Sequence, residues 1–125
     1  GVTGIVMSAD TVDIYNPKTI RSTMGSVYRM PFCYAEDMDQ VMRNLKQKGI
    51  SVYAAHLKGS ADYDAVDYRG SCGFLIGNEG SGLSERLAAQ ADGYIRIPMC
   101  GEVESLNAAV ASAVLMYEAF RQRKS

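Results

Sequence analysis

Apolar residues in this chain recur with two periods, and the alternation between them lays out an order of elements. Short, nearly continuous apolar runs, GIVMS (4–8), PFCYA (31–35), SVYAAHL (51–57), GFLIG (73–77) and YIRIP (94–98), have the length and bounding of buried strands. Helical spacing fills the gaps between them. In EDMDQVMRNLKQKG (36–49), Met38, Val41, Met42 and Leu45 share one face, the acids stand at the start, the lysines at the end, and Gly49 follows as a stop. NPKTIRSTMGSVY (16–28) opens with Asn16 as N-cap and Pro17 at the first helical position. SERLAAQA (84–91) predicts a short helix capped by Ser84. SLNAAVASAVLMYEAFRQRK (105–124) predicts a long helix, with Ser105 as its cap and Asn107 in its first turn. Strands separated by helices imply an α/β fold, a mostly parallel sheet with helices on both faces. No repeat, low-complexity tract or linker interrupts the chain, so one domain over residues 1–125 is expected.

In such a sheet, ligands bind outside the carboxyl ends of the strands. Three loops leave strand ends here: the one after Ala55, the turn from Gly77 to Gly82, and MCGEVESLN (99–107). The glycine turn within GFLIGNEGSGLSE (73–85) is the most suggestive. It lacks the GK[ST] ending of a P-loop. Its spacing is GxxGxG rather than GxGxxG, and it follows the fourth strand rather than opening the first βαβ unit. Glu79 within it would repel a phosphate, so a neutral or cationic ligand suits it better. Taken alone, the glycines fit a tight turn with positive φ equally well.

Composition narrows the classes. With 125 residues, 47% hydrophobic and 22% charged, the chain reads as an ordinary soluble globular protein able to bury roughly two-thirds of its unfolded surface. No apolar stretch approaches the ~18 residues of a membrane span, and no leader pattern opens the chain, so a cytoplasmic protein without a membrane partner is expected. Cys33, Cys72 and Cys100 are widely spaced and His56 is the single histidine, so neither a disulfide framework nor a metal site is expected. A net charge of −1 gives no electrostatic footprint for nucleic acid, which would require basic residues clustered on one face or another domain.

Two stretches taken together change the picture. FLIGNEGSGLSE (74–85) is followed, about twenty residues on, by IPMCGEVESLNAAVASAVLMYE (97–118). Both, in this order, resemble the second and third motifs of the SpoU/TrmH-type RNA ribose methyltransferases of the SPOUT superfamily. The upstream DIYNPKTIRSTMGSVYRMPF (13–32) resembles the segment these enzymes carry after their first motif, so the resemblance covers nearly the whole chain. It implies an α/β domain with a deep trefoil knot, a homodimer, S-adenosyl-L-methionine as cofactor, and methyl transfer to a ribose 2′-hydroxyl of tRNA or rRNA. It also implies that Ala55, Gly77, Ile97 and Leu106 hold the cofactor, and that Glu79, Ser105 and Asn107 stand beside the transferred methyl and the target ribose.

Each of these residues has a plainer reading. Ile97 shares a strand face with Ile95 and suits the core, and Leu106 suits a helix stripe with Val110, Ala113 and Tyr117. Glu79 suits a solvated acid before a helix, Ser105 a helix cap, and Asn107 a solvated polar residue. The family's first motif, which supplies the residue that activates the hydroxyl, belongs upstream of Gly1, together with the domain's first strand and helix. Arg21 is better read as a helix surface cation than as its substitute. The expected function is therefore an S-adenosylmethionine-dependent RNA methyltransferase. The alternatives are a cofactor-binding or dimerisation fragment without activity of its own, and a nucleotide-binding regulatory protein on a similar sheet.

Overall fold

The computed structural model describes residues 2–8, 29–56, 61–77, 84–100 and 107–124, and the helix expected over 16–28 lies outside them. The chain divides into two compact units, Gly1–Val41 and Met42–Ser125. In the first, β1 (Ile5–Ser8) and β2 (Phe32–Ala35) pair in parallel, from Ile5 opposite Phe32 to Ser8 opposite Ala35. Both strands fall where the apolar runs placed them. Asp37 then starts helix α1 (Met38–Gln47), its Oδ1 accepting from the Gln40 N–H at 3.2 Å. The division between units falls inside this helix, after Val41.

In the second unit, α1 buries Met42 and half-buries Leu45, two positions of the stripe read from the sequence. Gly49 ends it at φ +71°, and the Ile50 N–H returns to the Leu45 carbonyl at 3.0 Å. Only glycine takes that left-handed conformation without strain. Four strands follow: β3 (Ser51–Ala55), β4 (Ala61–Asp62), β5 (Cys72–Leu75) and β6 (Gly93–Arg96). They form one sheet in the order β4-β6-β3-β5, every pair parallel. The last of them in the chain, β6, thus lies between two strands that precede it.

Side chains alternate across this sheet with period two. Val52, Ala54, Leu75 and Tyr94 pack with Met42 of α1 and Ala88 of α2 (Glu85–Ala88). Tyr53, Ala55, Phe74 and Ile95 pack with Leu115 and Ala119 of α3 (Ala108–Arg123). Helices therefore cover both faces of the four-stranded sheet, as the alternation of elements implied. The short edge strand β4 and the 3₁₀ turn after it (Tyr63–Ala65) were not foreseen.

The face of α3 against the sheet carries Leu115, Glu118, Ala119 and Gln122, spaced i, i+3, i+4 and i+7. The expected core stripe through Val110, Ala113 and Tyr117 is therefore displaced. Val110 is 49% exposed and Tyr117 73%, because they lie on the opposite side of the helix. Among the described residues, no helix is long and apolar enough to cross a membrane.

Candidate functional site

Strands β6, β3 and β5 are neighbours and run the same way, so their carboxyl ends stop side by side. Ala55, the last residue of β3, stands opposite Ile95 of β6. Ile97 follows β6 directly and Gly77 comes two residues after β5. All three are half-buried. Three of the sequence-predicted binding positions thus share one end of the sheet. None carries a charged side chain, and their backbone groups lie at or beyond the ends of the ladders. Small and apolar side chains at strand ends suit an uncharged ligand group.

Two interactions that sequence patterning did not reveal fix the spacing of these strands. The Asp92 N–H donates to the Val52 carbonyl at 2.7 Å, and the Asp92 carboxylate accepts from the Val52 N–H, also at 2.7 Å. This carboxylate, 40 residues away in sequence, replaces a strand partner that Val52 would otherwise lack. Further along β3, the His56 N–H donates to the Ile95 carbonyl at 2.9 Å and extends the β3–β6 ladder by one bond. Neither has a local signature, since both depend on the register of two distant segments.

The fourth described position, Asn107, belongs to α3. At the far end of that helix, Arg123 Nη2 donates to the Gly70 carbonyl at 2.7 Å and Nε to the Tyr68 carbonyl at 3.0 Å, just before β5 begins. Gln122 clasps the same segment, donating to the Val66 carbonyl and accepting from the Tyr68 N–H. Tyr68 itself is fully buried, edge-on to Tyr53 and Phe74, its hydroxyl donating to the Tyr63 carbonyl, and burial pushes its pKa well above the ordinary phenol value. The Arg123 bonds hold the carboxyl end of α3 where β5 starts.

Asn107 is the N-cap of α3, not a first-turn residue. Its Oδ1 accepts from the Ala109 N–H at 2.8 Å and the Val110 N–H at 3.3 Å. Asparagine and serine serve that role comparably, so composition did not separate Asn107 from Ser105. Ser84 does cap α2, accepting from the Leu87 N–H at 3.2 Å. Glu79, Ser105 and Leu106 lie outside the described residues. Among those described, no group of three or more His, Cys, Asp or Glu is placed to hold a metal ion.

A second surface feature lies between α3 and the 3₁₀ turn. Tyr63 and Asp64 with Val110, Tyr117, Glu118 and Arg121 line an open groove of about 680 Å³. Arg121 donates to both Glu118 carboxylate oxygens, which holds that carboxyl below the usual range.

An open α/β sheet with a site at its strand ends defines a broad class of ligand-binding folds. Comparison with known proteins narrows it. The sequence profile of the SpoU rRNA Methylase family matches residues 1–117, and the chain belongs to that family. It is 34% identical over 123 residues to the 23S rRNA (guanosine-2'-O-)-methyltransferase RlmB of Xanthomonas campestris, covering 98% of this chain and 49% of that protein. It is 42% identical over 107 residues to the tRNA (guanosine(18)-2'-O)-methyltransferase of Thermus thermophilus, covering 84% of this chain and 55% of that one. The crystal structure of the SpoU methyltransferase AviRb from Streptomyces viridochromogenes, in complex with the cofactor AdoMet, superposes with a TM-score of 0.91 at 33% identity, covering 98% of this chain and 51% of that one. The chain spans about half the length of these relatives.

Proposed function

We propose that this chain is the cofactor-binding part of a cytoplasmic RNA 2′-O-ribose methyltransferase that uses S-adenosyl-L-methionine. One observation carries the reading: Ala55, Gly77 and Ile97 stand at three adjacent carboxyl strand ends. Membership of the SpoU family and the AdoMet complex of AviRb support it. Ala55, Gly77, Ile97 and Leu106 would hold the adenosine part, largely through backbone groups and apolar contact. When bound, the cofactor supplies an electrophilic sulfonium methyl.

The chain's own polar residues have positioning and proton-handling roles. Asn107 and Ser105 donate and accept hydrogen bonds that orient the ribose. Glu79 orients neighbouring groups and favours a cation nearby. The 2′-hydroxyl must also lose a proton, and a positioned base contributes about 10²–10⁴-fold. The half-length match to the relatives favours a second reading, in which the chain alone binds cofactor but transfers no methyl.

Residues 1–125 are read as one catalytic domain, with the deep trefoil knot of its superfamily. The insertion of β6 between β3 and β4 supports such threading. A homodimer through the outer side of α3 is proposed from the exposure of Val110, Met116, Tyr117 and Phe120 along one helix. Light scattering at high micromolar concentration should show dimer, and a strict monomer would refute that assembly. Transfer of tritiated methyl to total tRNA and rRNA tests the reaction. The full-length protein should transfer and residues 1–125 alone should not, whereas no transfer by either would refute the activity.

A further inference from the structure

His56 is the first residue past β3, next to Ala55. Its backbone bonds to Ile95, and its ring lies flat on Tyr94, with centroids 5.2 Å apart and planes 23° from parallel. Its Nε2 stands 3.4 Å from Oε1 of Glu85. The His56 side chain is only 16% exposed, whereas Glu85 is 82% exposed. A half-buried ring, fixed from two sides, thus holds a carboxylate that would otherwise swing freely in solvent.

The position of Glu85 gives this contact its consequence. Glu85 is the first residue of α2, immediately after the cap Ser84, and the chain between Gly77 and Ser84 contains the rest of the glycine motif. Ala88, one turn on, is fully buried against Val52, Ala54 and Leu75. The His56–Glu85 contact therefore joins the end of β3, at Ala55, to the start of the element into which the glycine motif runs.

We propose that His56 is a positioning residue for the cofactor site. Through Glu85 it sets the start of α2 against the end of β3, beside Ala55. It acts through that spacing and touches no reacting atom. The inference rests on the cofactor site proposed above.

The test is calorimetric titration of the full-length protein with S-adenosylhomocysteine. A polar contact this exposed on one side is a weak tie, so His56→Ala should weaken binding only about two- to five-fold. His56→Gln keeps a flat side chain with an N–H that can reach Glu85, and should restore affinity to near the wild-type value. Glu85→Gln added to His56→Ala should cost nothing more, because the pair is already broken. Wild-type binding that is unchanged in His56→Ala overturns the positioning role and leaves the site standing. Equal losses in His56→Ala and His56→Gln also overturn it. Absence of binding by the wild-type protein overturns both the role and the site.

Discussion

Asn107 carries two separable duties, and substitutions at this position can divide them. Its Oδ1 accepts from two backbone amides at the start of α3, at 2.8 and 3.3 Å, while its amide nitrogen is the donor proposed for the ribose. Asn107→Ala removes both. Loss of such a cap typically costs about 1 kcal/mol, within a range of roughly 0.5–2. At about 2.1 cal/mol/K per residue, a chain of this length has an unfolding entropy near 0.26 kcal/mol/K, so the expected fall in Tm is about 4 °C. Asn107→Asp keeps an acceptor of equal capping quality and places its charge at the favourable end of the helix dipole, so its Tm should stay within about 1 °C of wild type. The aspartate has no N–H to donate. A lost hydrogen bond to a polar group left unpaired costs about 1–3 kcal/mol, which corresponds to roughly a 5- to 160-fold loss of methyl transfer. Thermal unfolding of residues 1–125 carrying each residue at 107, and tritiated-methyl transfer by the full-length protein carrying the same residues, decide the matter. An Asn107→Asp protein that melts like wild type but transfers poorly supports both duties. Full transfer by Asn107→Asp refutes the ribose role, and melting as low as Asn107→Ala refutes the capping account.

Two further outcomes test the fold beneath the site. Asp92→Ala leaves the buried Val52 N–H without its acceptor and should destabilise the protein by about 1–3 kcal/mol, measured by urea unfolding, whereas a change under about 0.5 kcal/mol would contradict the strand-surrogate role. Burial raises the Cys72 thiol above its ordinary value despite the opposing Arg123 guanidinium, so at pH 8 it should alkylate much more slowly than the exposed Cys33 and Cys100; mass spectrometry of partly labelled protein showing Cys72 modified first would contradict this.

Elements whose stability is local were legible in the sequence. The stripe Met38, Val41, Met42 and Leu45, followed by Gly49, announces α1 because one helix face and one left-handed stop are properties of consecutive residues. The strands β3, β5 and β6 were visible as apolar runs because both of their faces are covered. The two-residue β4 was not, since Ala61 and Asp62 have no periodicity and become a strand only by pairing with Ile95 and Arg96. The burial pattern of α3 was misplaced for a related reason. That helix is apolar around most of its circumference, so sequence alone leaves open which side meets the sheet, and Tyr117 rather than Leu115 was placed inward. At the site, the glycine motif and Asn107 drew attention through residue type. The His56–Glu85 contact, across 29 residues, and the Asp92–Val52 bond, across 40, carry no sequence signal, because only the fold sets their register.

The central claim is that the ends of β3, β5 and β6 form an S-adenosylmethionine site. Calorimetric titration of the protein with S-adenosylhomocysteine, with ATP as the control ligand and Gly77→Val as the control protein, tests it most directly. Saturable binding of S-adenosylhomocysteine without binding of ATP, abolished in a folded Gly77→Val protein, is the predicted result. Undiminished affinity in folded Gly77→Val, or binding of ATP in place of S-adenosylhomocysteine, would contradict it.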